Sequence, residues 1–551
     1  MLAVLLNWIY IFVTTFCLGG GFAVLCGKLF RYRIKRMDSL LMAGVIIATV
    51  YAQLFSFAGG VGLTANLLLT AVCAVTAFLC RREMAEYIAG GWKAYGISKK
   101  ILLLALVLLW AFFTSRGYIH YDSDLYHGQS IRWIEEYGVV PGLGNLHERF
   151  AYNSSFFALS ALYSMKFLTG ESLHACNGFF ALLLTLTALD ITRSWKEKRF
   201  ALRDFARVGA IYYLTTITNE VVSPASDYSV MCVVFFIVIK WLDLLAEEEK
   251  DIAPCSLLCV AGVYALTLKL TAGLILLLLI KPASRLIREK RGKEICLYLA
   301  LGLAVAVPWF ARTVVISGWL VYPLPQLDLF DLDWKMDAAA IEVDAAQISA
   351  WGRALYNVAL LDTPAAQWIP NWFTTTLSAM EKILILGSAL CIPLFLVNAG
   401  YVFVKKRWKD LDVLLVLGTL ICCYLFWQFS APLMRYGYAY VLLTDFLTVG
   451  WLLLCLNRKR LQQLAYFSLL LYGVYKVFAL GGYIRGCWLQ DYYIWQADYG
   501  TYELESYEIE GYTFYKPVSG DRTGYDLFPA APTQPDLELR GEGLEDGFRK
   551  K

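Results

Sequence analysis

The sequence predicts an all-α polytopic membrane protein of about 14 transmembrane helices, with polar loops on one face and a small C-terminal extramembrane tail. Three observations predict it. Hydrophobic residues make up 59% of the chain and charged residues 17%, with a mean hydropathy of +0.54, which is more apolar surface than a soluble domain buries. Apolar runs recur along the whole length, and Lys and Arg cluster on alternate connections only, as the positive-inside rule requires. The net charge of +4 is spread over short basic clusters, which argues against nucleic acid as a partner.

Taken in order, the run up to residue 30 has no basic residue ahead of it and is followed by RYRIKR at 31–36. It reads as a retained span that starts outside, because a cleaved signal carries its charge first. Residues 40–57 and 61–80 add two spans hinged at Gly59 and Gly60, and Arg81, Arg82, Lys93, Lys99 and Lys100 mark a return to the cytoplasm. Residues 1–100 are thus a three-span extension. Residues 101–114 lead outward to a first outer loop, 115–172, within which 118–155 concentrates acids, histidines, amides and aromatics. Residues 156–168 are too few to cross a core that takes roughly 20 helical residues, so a re-entrant or interfacial helix is expected.

Residues 173–191 cross to a basic stretch with Arg193, Lys196, Lys198, Arg199, Arg203 and Arg207; 208–218 go out and 228–245 return. Two short segments, 256–268 and 271–280, are hinged at Lys269 and Leu270. Residues 295–315 lead to a second outer loop, 316–378, and 383–404, 413–429 and 436–456 complete a core at 101–456. A last span within 457–483 follows the basic stretch 457–460, with Arg458, Lys459 and Arg460, and leaves the tail, 484–551, outside with the N-terminus. In the tail, 512–518 suits a strand, and the segment suggests a cap over the site or an acceptor surface; an unstructured tail stays open. No internal repeat is visible, which weakens a transporter reading. Asp190, Asp445 and Lys476 are the few charges inside expected spans, and none has an evident partner.

Asp122, Tyr126, Gln129 and Trp133 recur at helical spacing, so a helix beginning near Asp122 aligns them on one face. Asp122 then stands at its N-terminal end, where an acid is electrostatically favoured and a helix cap is the competing role. Asp124 gives Asp-Ser-Asp, a weak signal alone. His120, His127 and His147 match no zinc spacing. The 14 cysteines lie almost entirely in apolar runs and imply no disulfide framework. Trp133, Trp309, Trp319, Trp368 and Trp372 suit interfacial belts or stacking on sugar rings.

Along the chain, DSDLYH at 122–127 follows an outward span, TLK at 267–269 sits at a membrane hairpin, PWFARTVVISGWLVYP occupies 308–323, and Arg435 with Tyr436 opens a late span. This order resembles the GT-C superfamily of integral membrane glycosyltransferases over roughly residues 101–456, PWxxR followed by GxxxYP being the most specific part. The resemblance implies a GT-C-like bundle, an inverting glycosyltransferase with no assigned cofactor, and a first outer loop that carries an essential acid followed four residues later by Tyr. Asp122 with Tyr126 matches that pair, with Asp124 secondary; Ser123 separates acids that many members have adjacent, so a divalent metal stays open and unassigned.

On that resemblance, Asp122 accepts the acceptor proton, and Lys269, Arg312 and Arg435 are the expected cations for the donor phosphate. Snorkelling of a long side chain is the competing reading for each cation. His127, Asp227, Tyr322 and Tyr436 join Tyr126 as expected positioning residues, helix capping competing for Asp227. The implied partners are a polyprenyl-phosphate-linked sugar, a lipid, glycan or protein acceptor, and the bilayer of the plasma (inner) membrane, with the catalytic loops extracytoplasmic. A transporter or flippase of lipid-linked glycans, or a polymerase or ligase acting on them, is the alternative; the latter needs loop arginines, of which 316–378 offers Arg353 and little else.

Overall fold

Apolar runs become helices here because backbone polar groups in hydrocarbon must bond within their own segment. The computed structural model describes residues 1–94, 96–192, 194, 201–456 and 459–551, with backbone alone at 91–94, 455–456, 459–467 and 469–470. Among the described residues, nine helices are long and apolar enough to cross a membrane, or ten if Leu63–Leu79 and Arg81–Gly90, bent by 85°, form one span. The protein is therefore polytopic and mostly helical, but about 14 spans was too many. The excess came from runs that stop short. Cys176–Ala188 and Ala253–Leu268 fall below the 18-residue length of a candidate span, and the expected span at 208–218 is the end of a helix, Leu202–Thr216, that opens on the polar LRDFAR. Arg193, Lys196, Lys198, Arg199, Asn457 and Arg458 lie outside the described residues.

Helices α1 (Leu2–Phe30) and α2 (Met37–Phe55) pair antiparallel with their backbones nearly touching. A Cβ on Gly19 would fall 2.0 Å from the Leu40 carbonyl oxygen, and one on Gly44 1.8 Å from that of Thr15, the small-residue approach common in membrane packing. At its far end α2 meets the first loop: Val139 N donates to Ser56 O at 2.8 Å and Val61 N to Ile134 O at 2.9 Å. Its 19 residues thus connect the basic segment 31–36 to the loop end of the bundle, a distance on the order of 28 Å at the α-helical rise.

Within the first loop, α3 (Gly128–Glu136) follows a π-helical turn at Ser123–His127, and Ser155–Tyr163 is a buried nine-residue helix. The central helix α4 (Ser226–Ala246) is 83% buried over its span window. After α5 (Ala253–Leu268) the chain extends at Lys269, with φ −158° and ψ 129°, before a 3-10 run at Leu270–Leu279. Then come α6 (Gly292–Ser317) and, late in the bundle, α7 (Met434–Leu456).

The tail is folded. Strands β1 (Leu504–Ile509) and β2 (Tyr512–Pro517) form an antiparallel hairpin, as do β3 (Leu537–Leu539) and β4 (Phe548–Lys550). Glu510 and Gly511 join the first pair with φ of 48° and 89°, the positive values of a two-residue hairpin turn. Phe514, Leu537 and Phe548 share a second apolar core with Trp133, Phe150 and Trp319 from the two loops. The tail is therefore welded to the loop end of the bundle.

At the other end lies a buried ionic network that the sequence reading missed. Asp38 accepts from Lys240 at 2.5 Å and from Arg36 at 3.4 Å, Arg36 also pairs with Asp190, and Arg207 holds Asp204 at 2.9 Å and Asp243 at 2.6 Å. Asp190 thus has a partner. Asp445 takes a hydrogen bond of 2.7 Å from Ser388, and Lys476 lies over the rings of Tyr212 and Tyr472.

Candidate functional site

Four chain segments bring charge to one place at the loop end: the turn at His120–Asp122, the first turn of α4 with Asp227, the break after α5 at Lys269, and the first turn of α7 with Arg435. Arg435 Nη2 donates to Asp122 Oδ2 at 2.5 Å, and its Nε lies 3.4 Å from Asp227 Oδ2 without hydrogen-bond geometry. Lys269 Nζ pairs with the other oxygen of Asp227. A cation in the first turn of a helix is opposed by the macrodipole, whereas an acid there is favoured. Arg435 is therefore held against its own helix by two carboxylates. Tyr436 completes the cluster, its hydroxyl accepting from Arg435 at 2.8 Å and its ring lying 3.1 Å beneath Lys269 Nζ. The Asp122, Arg435 and Lys269 side chains are 15%, 20% and 21% exposed, enough for a ligand to reach them.

His120 belongs to this site, although spacing alone left it as a loop histidine. Its Nδ1 accepts from the Asp122 amide at 3.1 Å and faces Arg435 Nη1 at 3.0 Å. An atom accepting from an amide carries no proton, so the neutral ring holds its proton on Nε2. Burial and then Arg435 push the His120 imidazolium below its usual range, against the pull of Asp122. For Asp122, burial works toward the neutral acid, but Arg435 foremost, with His127, His120 and Arg149, holds the carboxyl below its usual value. The resting site is thus an ionised carboxylate clamped by a guanidinium.

Asp124 is elsewhere. Residues two apart on a helical turn face different ways, and the Asp124 carboxylate accepts from Gly500 N at 2.9 Å and from the Tyr502 hydroxyl at 2.7 Å, while its carbonyl takes Thr523 N and Gly524 N. It anchors the tail, and its carboxylate is engaged there instead of in the cluster with Asp122. The expected single face also divides. Gln129 bonds the carbonyls of Gly524 and Leu527 and the amide of Ala530, and Trp133 is buried against Phe528 and Phe548, so both hold the tail. Asp122 forms no side-chain cap.

Tyr126 and His127 pack behind the site, with ring centroids 4.3 Å apart and both against Phe157. His127 is buried and bonded to Ser123 Oγ at 3.1 Å, and so supports the turn without reaching the cluster. Tyr322 likewise departs from its expected role: its hydroxyl donates to Asp344 at 3.1 Å, beside that of Tyr152 at 2.6 Å, with Arg149 Nε 3.8 Å away. This tyrosine–acid lock ties the second loop to the first, and nothing in the sequence marked Asp344.

Arg312 is 2% exposed and donates to Asn153 Oδ1 at 3.1 Å and to Ser56 Oγ. Among the described residues it has no acidic partner and no contact with the cluster. It clamps the loop to α2, and of the three expected cations only Lys269 and Arg435 stand in the cluster. The tryptophans Trp133, Trp309, Trp319, Trp368 and Trp372 are all buried, and fill the interior instead of forming an exposed sugar platform. Among the described residues no group of three or more His, Cys, Asp or Glu is placed to hold a metal.

The fold and this cluster define a polytopic helical membrane protein with an acid–cation site at one end. The family described as a domain of unknown function, DUF8201, matches residues 1–442, and the chain belongs to that family. Neither the curated proteins nor the solved structures contain a match.

Proposed function

We propose that the protein is a membrane glycosyltransferase moving a sugar from a polyprenyl-phosphate donor to a lipid, glycan or protein acceptor, with Asp122 as general base. The observation that carries this reading is the convergence of Asp122, Asp227, Lys269 and Arg435 from four separate segments on one partly open site. Asp122, Lys269 and Arg435 stand in the order of the GT-C resemblance. Charge alternation in the sequence favours the extracytoplasmic face of the plasma membrane, where nucleotide sugars are absent and a lipid-carried donor is the economical source.

In the proposed reaction the acceptor hydroxyl gives its proton to Asp122 as its oxygen bonds to the anomeric carbon. The bond from that carbon to the phosphate oxygen breaks, its electron pair leaving with the lipid phosphate, and attack opposite the leaving group inverts the centre. Arg435 and Lys269 stabilise the departing phosphate. Their present partners give the order of events: a donor phosphate that draws Arg435 from Asp122 removes the charge that depresses its basicity, so the base strengthens when the donor is bound. The test is transfer of labelled sugar from a polyprenyl-phosphate donor by purified protein and by Asp122→Asn. Loss of transfer in a folded variant supports the reading, and full transfer removes it.

One observation favours the transporter or flippase alternative, namely the buried pair of Asp38 with Lys240, since charges within spans commonly mark a pathway. Flux of lipid-linked glycan that survives Asp122→Asn but fails in Lys240→Met would select it.

A further inference from the structure

At the end of the bundle opposite Asp122 lies a cavity of about 450 Å3, within the range of small-molecule sites. Phe22 of α1, Met42, Ile46 and Val50 of α2, Leu258 of α5 and Val305 of α6 line its apolar part. From Ser39 to Val50 it follows α2 for on the order of 16 Å. Its polar end is built from Lys35 and Arg36 before α2, from Lys240 and Asp243 of α4, which are paired with Asp38 and Arg207, and from Glu247 and Glu249 after α4. Such a shape, a long apolar shaft with charge at one end, suits an amphiphile with an extended chain.

The charges at that end differ in how far they are committed. Arg36 is held by Asp38 and Asp190, and Glu247 lies 3.8 Å from Arg203. Among the described residues Lys35 is exposed and in no ion pair, and the half-buried Glu249 is in no ion pair either, its carboxylate accepting from the Asp251 amide at 3.1 Å. One cation and one anion on the rim of the same cavity are therefore left for a ligand that carries both charges.

We propose that this cavity binds an aminophospholipid, with an acyl chain in the shaft, its phosphate at Lys35 and its ammonium at Glu249. The proposal does not rest on the transferase reading, since it concerns different residues at the other end of α2. It is tested by native mass spectrometry of the full-length protein in detergent with equimolar phosphatidylethanolamine, phosphatidylglycerol and phosphatidylcholine, and separately with inorganic phosphate. Phosphatidylethanolamine is expected to be retained at least tenfold over the other two lipids, with no retention of inorganic phosphate. Lys35→Glu, at an exposed position, and Ala43→Phe, which fills the shaft, should each reduce retention tenfold or more, and Glu249→Gln should erase the preference over phosphatidylglycerol. Equal retention of the three lipids, retention of inorganic phosphate, or unchanged binding in any of the three variants would overturn the proposal.

Discussion

Arg435 and Asp122, 313 positions apart in the chain, are joined by a hydrogen bond of 2.5 Å. The late span thereby reaches the first loop at the residue proposed as the base, and the same guanidinium approaches Asp227. Removing the base and removing its clamp should consequently have different kinetic signatures. Asp122→Asn keeps the hydrogen-bonding shape and loses the base, so kcat is expected to fall by about 100-fold or more with little change in KM. Arg435→Lys keeps the charge and loses the fork, so KM for the polyprenyl-phosphate donor should rise more than kcat falls. Steady-state kinetics against donor concentration would separate the two, and identical profiles would count against the assignment.

The pH dependence of stability should carry the mark of His127. Burial pushes its imidazolium down to about 3, against the pull of Asp122, while the unfolded ring titrates near the ordinary histidine value of about 6.5. Between those values the unfolded chain binds the proton and the folded one does not, so stability falls as pH is lowered through that window, with a limiting slope of about 1.4 kcal/mol per pH unit. Asp122 adds a lower window of the same sign. Its folded value is depressed, so its stabilisation is present above the ordinary carboxylate pKa and is lost as pH falls through the folded value. Melting curves of the wild type and of His127→Phe below about pH 6.5 should show a shallower slope in the variant; parallel slopes would exclude His127 as the source.

What the sequence made legible, and what it did not, divides along physical lines. Hydropathy and charge alternation are properties of single segments, so the polytopic helical class was readable. Span number was not, because helices such as Cys176–Ala188 are apolar yet short, and are buried by neighbours instead of by lipid. For the site, Asp122, Asp227, Lys269 and Arg435 were each visible as charges beside span ends, but their pairing is tertiary. Periodicity gave one face from Asp122 to Trp133, whereas the π-helical turn divides it between the site and the tail. Arg312 illustrates the limit of motif spacing: it stands in PWFAR where the resemblance expects a phosphate ligand, and burial against Asn153 and Ser56 gives it another role. His120 carried a signal in HYD, a histidine two residues from the acid.

The tail offers a prediction that separates structural from chemical acids. Asp124 receives two backbone amides at its carbonyl and two donors at its carboxylate from the tail. Asp124→Asn is expected to loosen that contact by about 1–3 kcal/mol, and Phe514→Ala, at a fully buried ring, to cost the tail core about 3–5 kcal/mol. Both should expose the segment after residue 500 to limited proteolysis while the membrane helices remain protected. A tail as resistant as that of the wild type in both variants would show that the second core does not hold it.

Arg312 supplies the sharpest test between motif and geometry. A phosphate ligand replaced by Ala loses donor affinity and leaves a folded protein, whereas a buried clamp replaced by Ala leaves Asn153 and Ser56 without their donor and opens space between the loop and α2. Removing a buried charged hydrogen-bonding group of this kind costs on the order of 3 kcal/mol or more. Arg312→Ala is therefore expected to lower the melting temperature and the yield of folded protein. Arg312→Lys should recover part of the stability, since a single ammonium can still reach one of the two acceptors. Lys269→Met, by contrast, is expected to weaken donor binding and to lower the melting temperature less than Arg312→Ala, because Lys269 is partly exposed and Arg435 still lies 3.4 Å from Asp227. Donor-binding isotherms alongside melting curves decide the matter: an Arg312→Ala protein that melts normally but binds donor poorly would return Arg312 to the site.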